Sequence, residues 1–205
     1  MTLPALLDFA SVAIFALTGA LAASRAQLDI VGFLFIAALT AIGGGTLRDL
    51  LLDRNPLFWI EQPTYIALTS AAALLVFFTA HLAESRYRWL LWLDSFALAV
   101  AAAAGVAVAL EMTQPPHIVL IMGMVTATFG GLMRDVVCNE VPLVLKQGEL
   151  YVTAAFAGAL AALLTLQIAP APAALLACAT TTWALRAGSI AFGWRLPTYK
   201  HRPPR

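Results

Sequence analysis

Long apolar runs dominate the chain, and polar residues interrupt them at places that recur. Seven runs, roughly 4–23, 29–51, 63–82, 89–110, 116–138, 150–169 and 172–194, stand out. Each is close to the roughly 20 apolar residues that a helix needs to cross the hydrocarbon core of a bilayer. Continuous runs of this length predict membrane-spanning helices, not strands. The connections are short, with little room for a soluble domain. From Leu196 the chain turns polar, basic and proline-containing, which predicts a tail without regular structure.

The polar interruptions form a repeat with an offset of 86 residues. Gly43-Gly44-Gly45-Thr46-Leu47-Arg48-Asp49 with Pro56 reappears as Phe129-Gly130-Gly131-Leu132-Met133-Arg134-Asp135 with Pro142. The same register pairs Asp8 with Asp94, Gly19 with Gly105, Thr40-Ala41 with Thr126-Ala127, and Tyr65 with Tyr151. Chance matches of Ala and Leu are common in apolar segments, but gapless matches at Asp, Arg, Pro and Gly are not. Repeats of this kind decide the architecture before any local reading does.

The expected fold is therefore an all-α membrane protein: two three-helix repeats plus a seventh helix. The boundaries are 1–86 for the first repeat, 87–171 for the second, 172–195 for the seventh span and 196–205 for the basic tail. Three spans per repeat is odd, so the second repeat enters the membrane inverted. In inverted repeats, functional sites lie near the midplane where helices are interrupted, so the second and fifth spans are expected to be broken at their glycines. Arg25, Arg86, Arg88, Lys146, Arg195, Lys200, Arg202 and Arg205 fall on one side, and little beyond Arg54 falls on the other. The positive-inside rule then places the C-terminus in the cytoplasm and the N-terminus outside. The first run carries Asp8 near its start, has no preceding Lys or Arg and is echoed 86 residues later, so it is expected to be a retained span and not a cleaved signal.

Composition narrows the partners. The chain is 61% hydrophobic and only 11% charged, with a mean hydropathy of +0.87. Soluble domains carry roughly 25% charged residues, so an integral membrane protein is expected. A net charge of +1 points to no nucleic-acid partner. Cys138 and Cys178 form no metal-ligand spacing and are expected to be small buried side chains. His81, His117 and His201 form no cluster, so neither metal nor cofactor is expected. Phosphate-cradling, zinc-hydrolase and nucleophile-elbow signatures are missing, and no enzyme activity is expected.

The recurring motif carries the candidate chemistry. Three successive glycines cost about 1 kcal/mol each against alanine in a helix interior. They either let the helix unwind or let another helix approach closely. A charge deep in the membrane costs on the order of 3 kcal/mol on insertion scales. Arg48-Asp49 and Arg134-Asp135 therefore either face a polar pathway and pair, or end their helices at the interface. Asp8 and Asp94 either cap helix starts or act as a cation-attracting mouth and counter-charges to the arginines. Arg186 either snorkels to the headgroups, the favoured reading, or pairs with an acidic group. Trp59, Trp89, Trp92, Trp194 and Tyr87 flank spans as interfacial anchors.

Two glycine-rich Arg-Asp motifs, each with a downstream proline, in about 200 residues with seven spans, resemble the bacterial branch of the TRIC family of trimeric intracellular cation channels and the related small bacterial proteins that share the duplicated domain. The resemblance covers residues 4 to about 194. It implies a homotrimer in a bacterial inner membrane, with a pore in each subunit between the second and fifth spans. It implies passive conduction of potassium, with sodium also permitted. The pore and gating positions it implies are Gly43, Gly44, Gly45, Arg48, Asp49, Gly130, Gly131, Arg134 and Asp135. Phe129 departs from perfect duplication, and the second break is expected to be stiffer for it. Arginines in a cation path must be neutralised by aspartates or act as a brake. The alternative function is a carrier for a small amino acid such as glycine.

Overall fold

A computed structural model describes residues 2–82 and 85–197. The tail positions Lys200, His201, Arg202 and Arg205 lie outside the described residues. Among those described, the chain is helical: α1 (Leu3–Arg25), α2 (Ile30–Leu51), a short α3 (Phe58–Glu61), α4 (Thr64–Thr79), α5 (Arg86–Glu111), α6 (Pro116–Val137), α7 (Val152–Thr165) and α8 (Ala171–Phe192). Five of the described helices are long and apolar enough to cross a membrane: α1, α2, α4 with its 3-10 extension to Leu82, α5 and α6. Helix α7 has 14 residues, about 21 Å at the helical rise. Helix α8 has 22 residues but carries Thr180-Thr181-Thr182 and Arg186.

Local chemistry sets the ends. Thr2 caps α1 and Asp29 caps α2, the latter accepting from the Gly32 amide at 2.8 Å. Ser85 caps α5. Capping is thus done by Thr2 and Ser85, while Asp8 lies in the second turn of α1 and Asp94 in the third turn of α5. The ends of α1, α2, α5 and α6 each turn on a residue with positive φ: Gln27, Asp53, Thr113 and Asn139. These are two pairs at the 86-residue spacing. Behind each, an amide reaches back five residues: Leu28 to Ala23, Arg54 to Asp49, Gln114 to Ala109 and Glu140 to Asp135. This is the bonding of a Schellman cap, here built on polar residues instead of glycine.

The core lies where α1 and α5 pack side by side. Helix α5 is buried along most of its length, with the run Ala101–Ala104 almost wholly enclosed. Helices α2 and α4 pack on α1, α6 and α7 pack on α5, and α8 covers α5 and α7. Helix α8 belongs to neither repeat and leaves the two halves unequal.

Helices α2 and α6 remain helical through their glycines, without the interruption that the sequence suggests. The glycines serve approach. A Cβ on Gly44 would collide with the Thr126 carbonyl oxygen, and one on Gly130 would collide with the Thr40 carbonyl oxygen. Each helix buries its glycine against the threonine of the other, and Thr40 and Thr126 are themselves a repeat pair. An unbroken helix keeps its backbone bonds satisfied where lipid and packed protein offer few replacements, and close packing against small residues compensates the propensity cost. Phe129 lies on the outer side, in an apolar groove shared with Phe35, Gly43, Trp59 and Met133.

Candidate functional site

The two Arg-Asp pairs that the motif places in sequence are the centres of two buried ion networks. Arg48 is wholly buried. Its Nη1 and Nη2 donate to the two carboxylate oxygens of Asp8 at 2.8 and 3.2 Å, and its Nε donates to Asp49 Oδ1 at 2.8 Å. Arg134 is also wholly buried. Its Nη1 donates to Asp94 Oδ1 at 2.8 Å and to the Thr18 hydroxyl at 3.1 Å, and its Nε donates to Asp135 Oδ1 at 2.8 Å. The Arg48–Asp8 pair is bidentate, which the planar guanidinium favours over a lysine, whereas Arg134 gives a single bond to each of its carboxylates.

The second oxygen of each motif aspartate fixes the chain that follows its helix. Asp49 Oδ2 accepts from the Phe58 amide at 3.0 Å, nine residues on. Asp135 Oδ2 accepts from the Leu143 amide at 2.8 Å, eight residues on. The gapless register of the sequence therefore slips by one residue in space after the two prolines. Helix α3 begins at Phe58 on one side, and a 3-10 turn begins at Leu143 on the other.

The charges do not cancel within a network. Each arginine faces two carboxylates, a formal charge of −1 for Arg48 with Asp8 and Asp49, and the same for Arg134 with Asp94 and Asp135. Arg54, about one third exposed, lies 3.7 Å from Asp49 on the first network. Isolated ions this deep are too costly to persist unpaired, and buried groups of one sign focus field along a cleft.

Two polar cavities meet at Asp8 and Phe58. The outer one is bordered by Thr2, Arg54, Glu61, Tyr65 and Glu111. The inner one is narrow and reaches Thr40, Gly44, Gly45 and Thr126 at the α2–α6 crossing. Asp8 thus stands between a partly acidic mouth and the centre of the bundle, whereas Asp94 lines neither cavity and is fully buried. The other arm of the site runs from Arg134 to Tyr151, whose hydroxyl would lie 2.9 Å from a Cβ on Gly131.

All eleven residues that the sequence singles out belong to this region or to the helix crossing, with Gly43 at the edge of the crossing, facing Gly130 and bordering the outer apolar groove. Sequence reasoning did not single out Thr18 or Phe58. Thr18 has no polar counterpart, since Ala104 holds its position in the second repeat. Arg186 does not snorkel. It is wholly buried and donates from Nη1 to Glu149 Oε2 at 2.7 Å.

Fold and site together define an integral, multi-pass, all-helical membrane protein of duplicated build. The family model described as "Glycine transporter" matches twice, over residues 5–81 and 91–167, again 86 residues apart. The UPF0126 inner membrane protein YadS of Escherichia coli (strain K12) is 33% identical over 197 residues, covering 94% of each chain. A UPF0126 membrane protein of Vibrio cholerae is 35% identical over 95% of this chain and 82% of its own. The solved TRIC trimeric intracellular cation channel orthologue of Rhodobacter sphaeroides superposes with a TM-score of 0.90 at 44% identity, covering 94% of this chain and all of that one. The chain belongs to this family, which joins the UPF0126 membrane proteins to the bacterial TRIC orthologues.

Proposed function

We propose that the chain is a passive channel for monovalent cations, chiefly potassium and also sodium, with a pore inside each subunit between α2 and α6. The observation that carries this is the pair of buried networks, each with one arginine and two carboxylates. It removes the objection that arginines would repel a cation, because each is outweighed by aspartate. The polar cavities that reach the α2–α6 crossing from the Asp8 side supply the first half of a path. The pore and gating roles go to Gly44, Gly45, Arg48, Asp49, Gly130, Gly131, Arg134 and Asp135, with Asp8 at the mouth and Asp94 as counter-charge. The 44% identical relative described as a trimeric intracellular cation channel orthologue supports the same reading, and with it a homotrimer.

The same reading takes seven spans, two inverted repeats with the boundaries given above, and a bacterial inner membrane with a cytoplasmic C-terminus. The reciprocal Gly44–Thr126 and Gly130–Thr40 contacts support inversion, because a two-fold axis exchanges such partners. The orientation is supported by the gathering of basic residues at one end. Arg25 bonds Glu140 and packs on the Tyr87 ring, Arg86 reaches Ser24, and Lys146 bonds the Tyr87 hydroxyl.

A second reading, a carrier for glycine, draws on the description of the matching family model. Purified protein in planar bilayers separates the two. Single-channel steps in KCl, with a reversal potential near that of potassium in a gradient, are expected. Saturable glycine uptake into vesicles without such steps would replace the channel by the carrier.

A further inference from the structure

The two halves of the site are filled differently. Among the described residues, seven buried side-chain polar atoms lack a hydrogen-bond partner, and all seven lie beyond the first repeat: Asp94 Oδ2, Thr126 Oγ1, Arg134 Nη2, Tyr151 OH, Thr182 Oγ1, and Nε and Nη2 of Arg186. Buried polar groups are normally paired. Of these, Thr126 lines the cavity at the α2–α6 crossing and Thr182 packs against Gly158, whereas Arg134 Nη2 and Tyr151 OH lie together beside Gly131.

Tyr151 is at the centre of this region. The space beside Gly131 lies within 2.9 Å of the Tyr151 hydroxyl and 3.6 Å of both Arg134 Nη2 and Asp94 Oδ1. The Arg186 guanidinium lies over the Tyr151 ring, 5.1 Å from its centroid. Glu149, about 30% exposed, pairs with Arg186. Asp94, Arg134, Tyr151, Arg186 and Glu149 therefore make a continuous polar tract from the buried network to the surface.

The repeat shows what holds each tyrosine. Tyr65 is fixed inside its own repeat, stacked on Phe9 at 3.9 Å and edge-on to Phe58 at 4.8 Å. The counterpart of Phe9 is Ser95. The counterpart of Phe58 is Val144 by sequence and Leu143 by hydrogen bonding, and neither is aromatic. Tyr151 thus lacks both aromatic supports. It is held instead from α8 and the residues that follow it, which have no counterpart in the first repeat. Besides the Glu149–Arg186 pair, the Leu150 amide donates to the Ser189 hydroxyl at 3.2 Å, and the Leu196 amide donates to the Gly148 carbonyl at 2.9 Å. The first-repeat equivalent of Glu149 is Pro63, which carries no charge.

We propose that the Glu149–Arg186 ion pair is a latch by which α8 holds Tyr151 shut over the Arg134–Asp94 end of the pathway. This rests on the channel reading. Arg186 and Glu149 are positioning residues: they touch Tyr151 and its segment, not the Arg134–Asp94 network. Releasing the pair frees the 148–151 segment and admits water to the unpaired atoms around Gly131.

The test uses the full-length protein with Glu149→Gln and the conservative Glu149→Asp. Glu149 is part-exposed but Arg186 is wholly buried, so Glu149→Gln is expected to lose stability, and size-exclusion and thermal melting set the conditions under which both variants stay folded. Two readouts are taken. In planar bilayers, Glu149→Gln is expected to raise open probability about fivefold, with unit conductance unchanged and Glu149→Asp near wild type. In hydroxyl-radical footprinting, labelling of Tyr151 is expected to rise severalfold in Glu149→Gln while that of Tyr65 stays level. Unchanged Tyr151 labelling, or an open probability within about twofold of wild type by the same energy scale, overturns the latch. If wild-type protein shows no channel steps, the channel reading falls on its own, and Tyr151 labelling alone decides whether α8 holds this segment shut.

Discussion

Arg48 donates to Asp8 at 2.8 Å across 40 residues of chain. The same distance, over the same separation, joins Arg134 to Asp94. Helices α1 and α5 thus each carry the counter-charge for an arginine on the helix that follows, and both pairs sit in the core, not at a surface. Removing one member of such a pair leaves the other buried and uncompensated.

Asp94→Ala is expected to lower stability by about 3 kcal/mol, the usual cost of breaking a buried pair. Asp29→Ala, which removes an exposed N-cap, is expected to cost about 1 kcal/mol. Denaturation of the detergent-solubilised protein measures both. Equal losses would contradict the burial argument.

Gly44→Ala and Gly130→Ala each push a methyl group into a backbone carbonyl of the facing helix. Each is expected to cost about 2 kcal/mol by overpacking, and to cost nearly the same as the other because the contacts are reciprocal. Gly43→Ala comes closest to the flexible Met133 side chain, at 3.0 Å from Sδ, and meets the Gly130 backbone only at an ordinary 3.7 Å, so it is expected to stay within about 0.5 kcal/mol of wild type. Thermal melting of the three variants side by side gives the order.

Asp8→Asn takes the formal charge of the first network from −1 to zero while keeping its shape. Cation preference is expected to fall, and the reversal potential in a KCl gradient to move toward zero. A shift of the opposite sign would show that Asp8 does not set the field at the mouth.

Arg134→Ala is expected to change unit conductance or open probability severalfold. Arg86→Ala is expected to change neither, because among the described residues Arg86 bonds the Ser24 carbonyl and hydroxyl at the end of the bundle, at 2.9 and 2.8 Å, and not the buried network. Equal effects would remove the buried network from the pathway.

The sequence alone determined that the chain is an all-helical membrane protein built from a duplicated unit, and it picked out nearly every residue of the two networks. The physical reason is the bilayer, which demands long apolar runs and makes every charge within them costly enough to be noticed. Asp8, Arg48 and Asp49 stand out against leucine and alanine without any knowledge of contacts. The tertiary structure decided what those residues do to one another. Whether Asp8 caps a helix or neutralises an arginine depends on which face of α1 turns inward. The use of Gly44 and Gly130 depends on a second helix lying close enough to need the missing Cβ. The partner of Arg186 depends on α8 packing against the segment before α7. Each of these is settled by the convergence of groups distant in sequence, and a local pattern of apolar and polar positions does not encode the rotation of one helix against another.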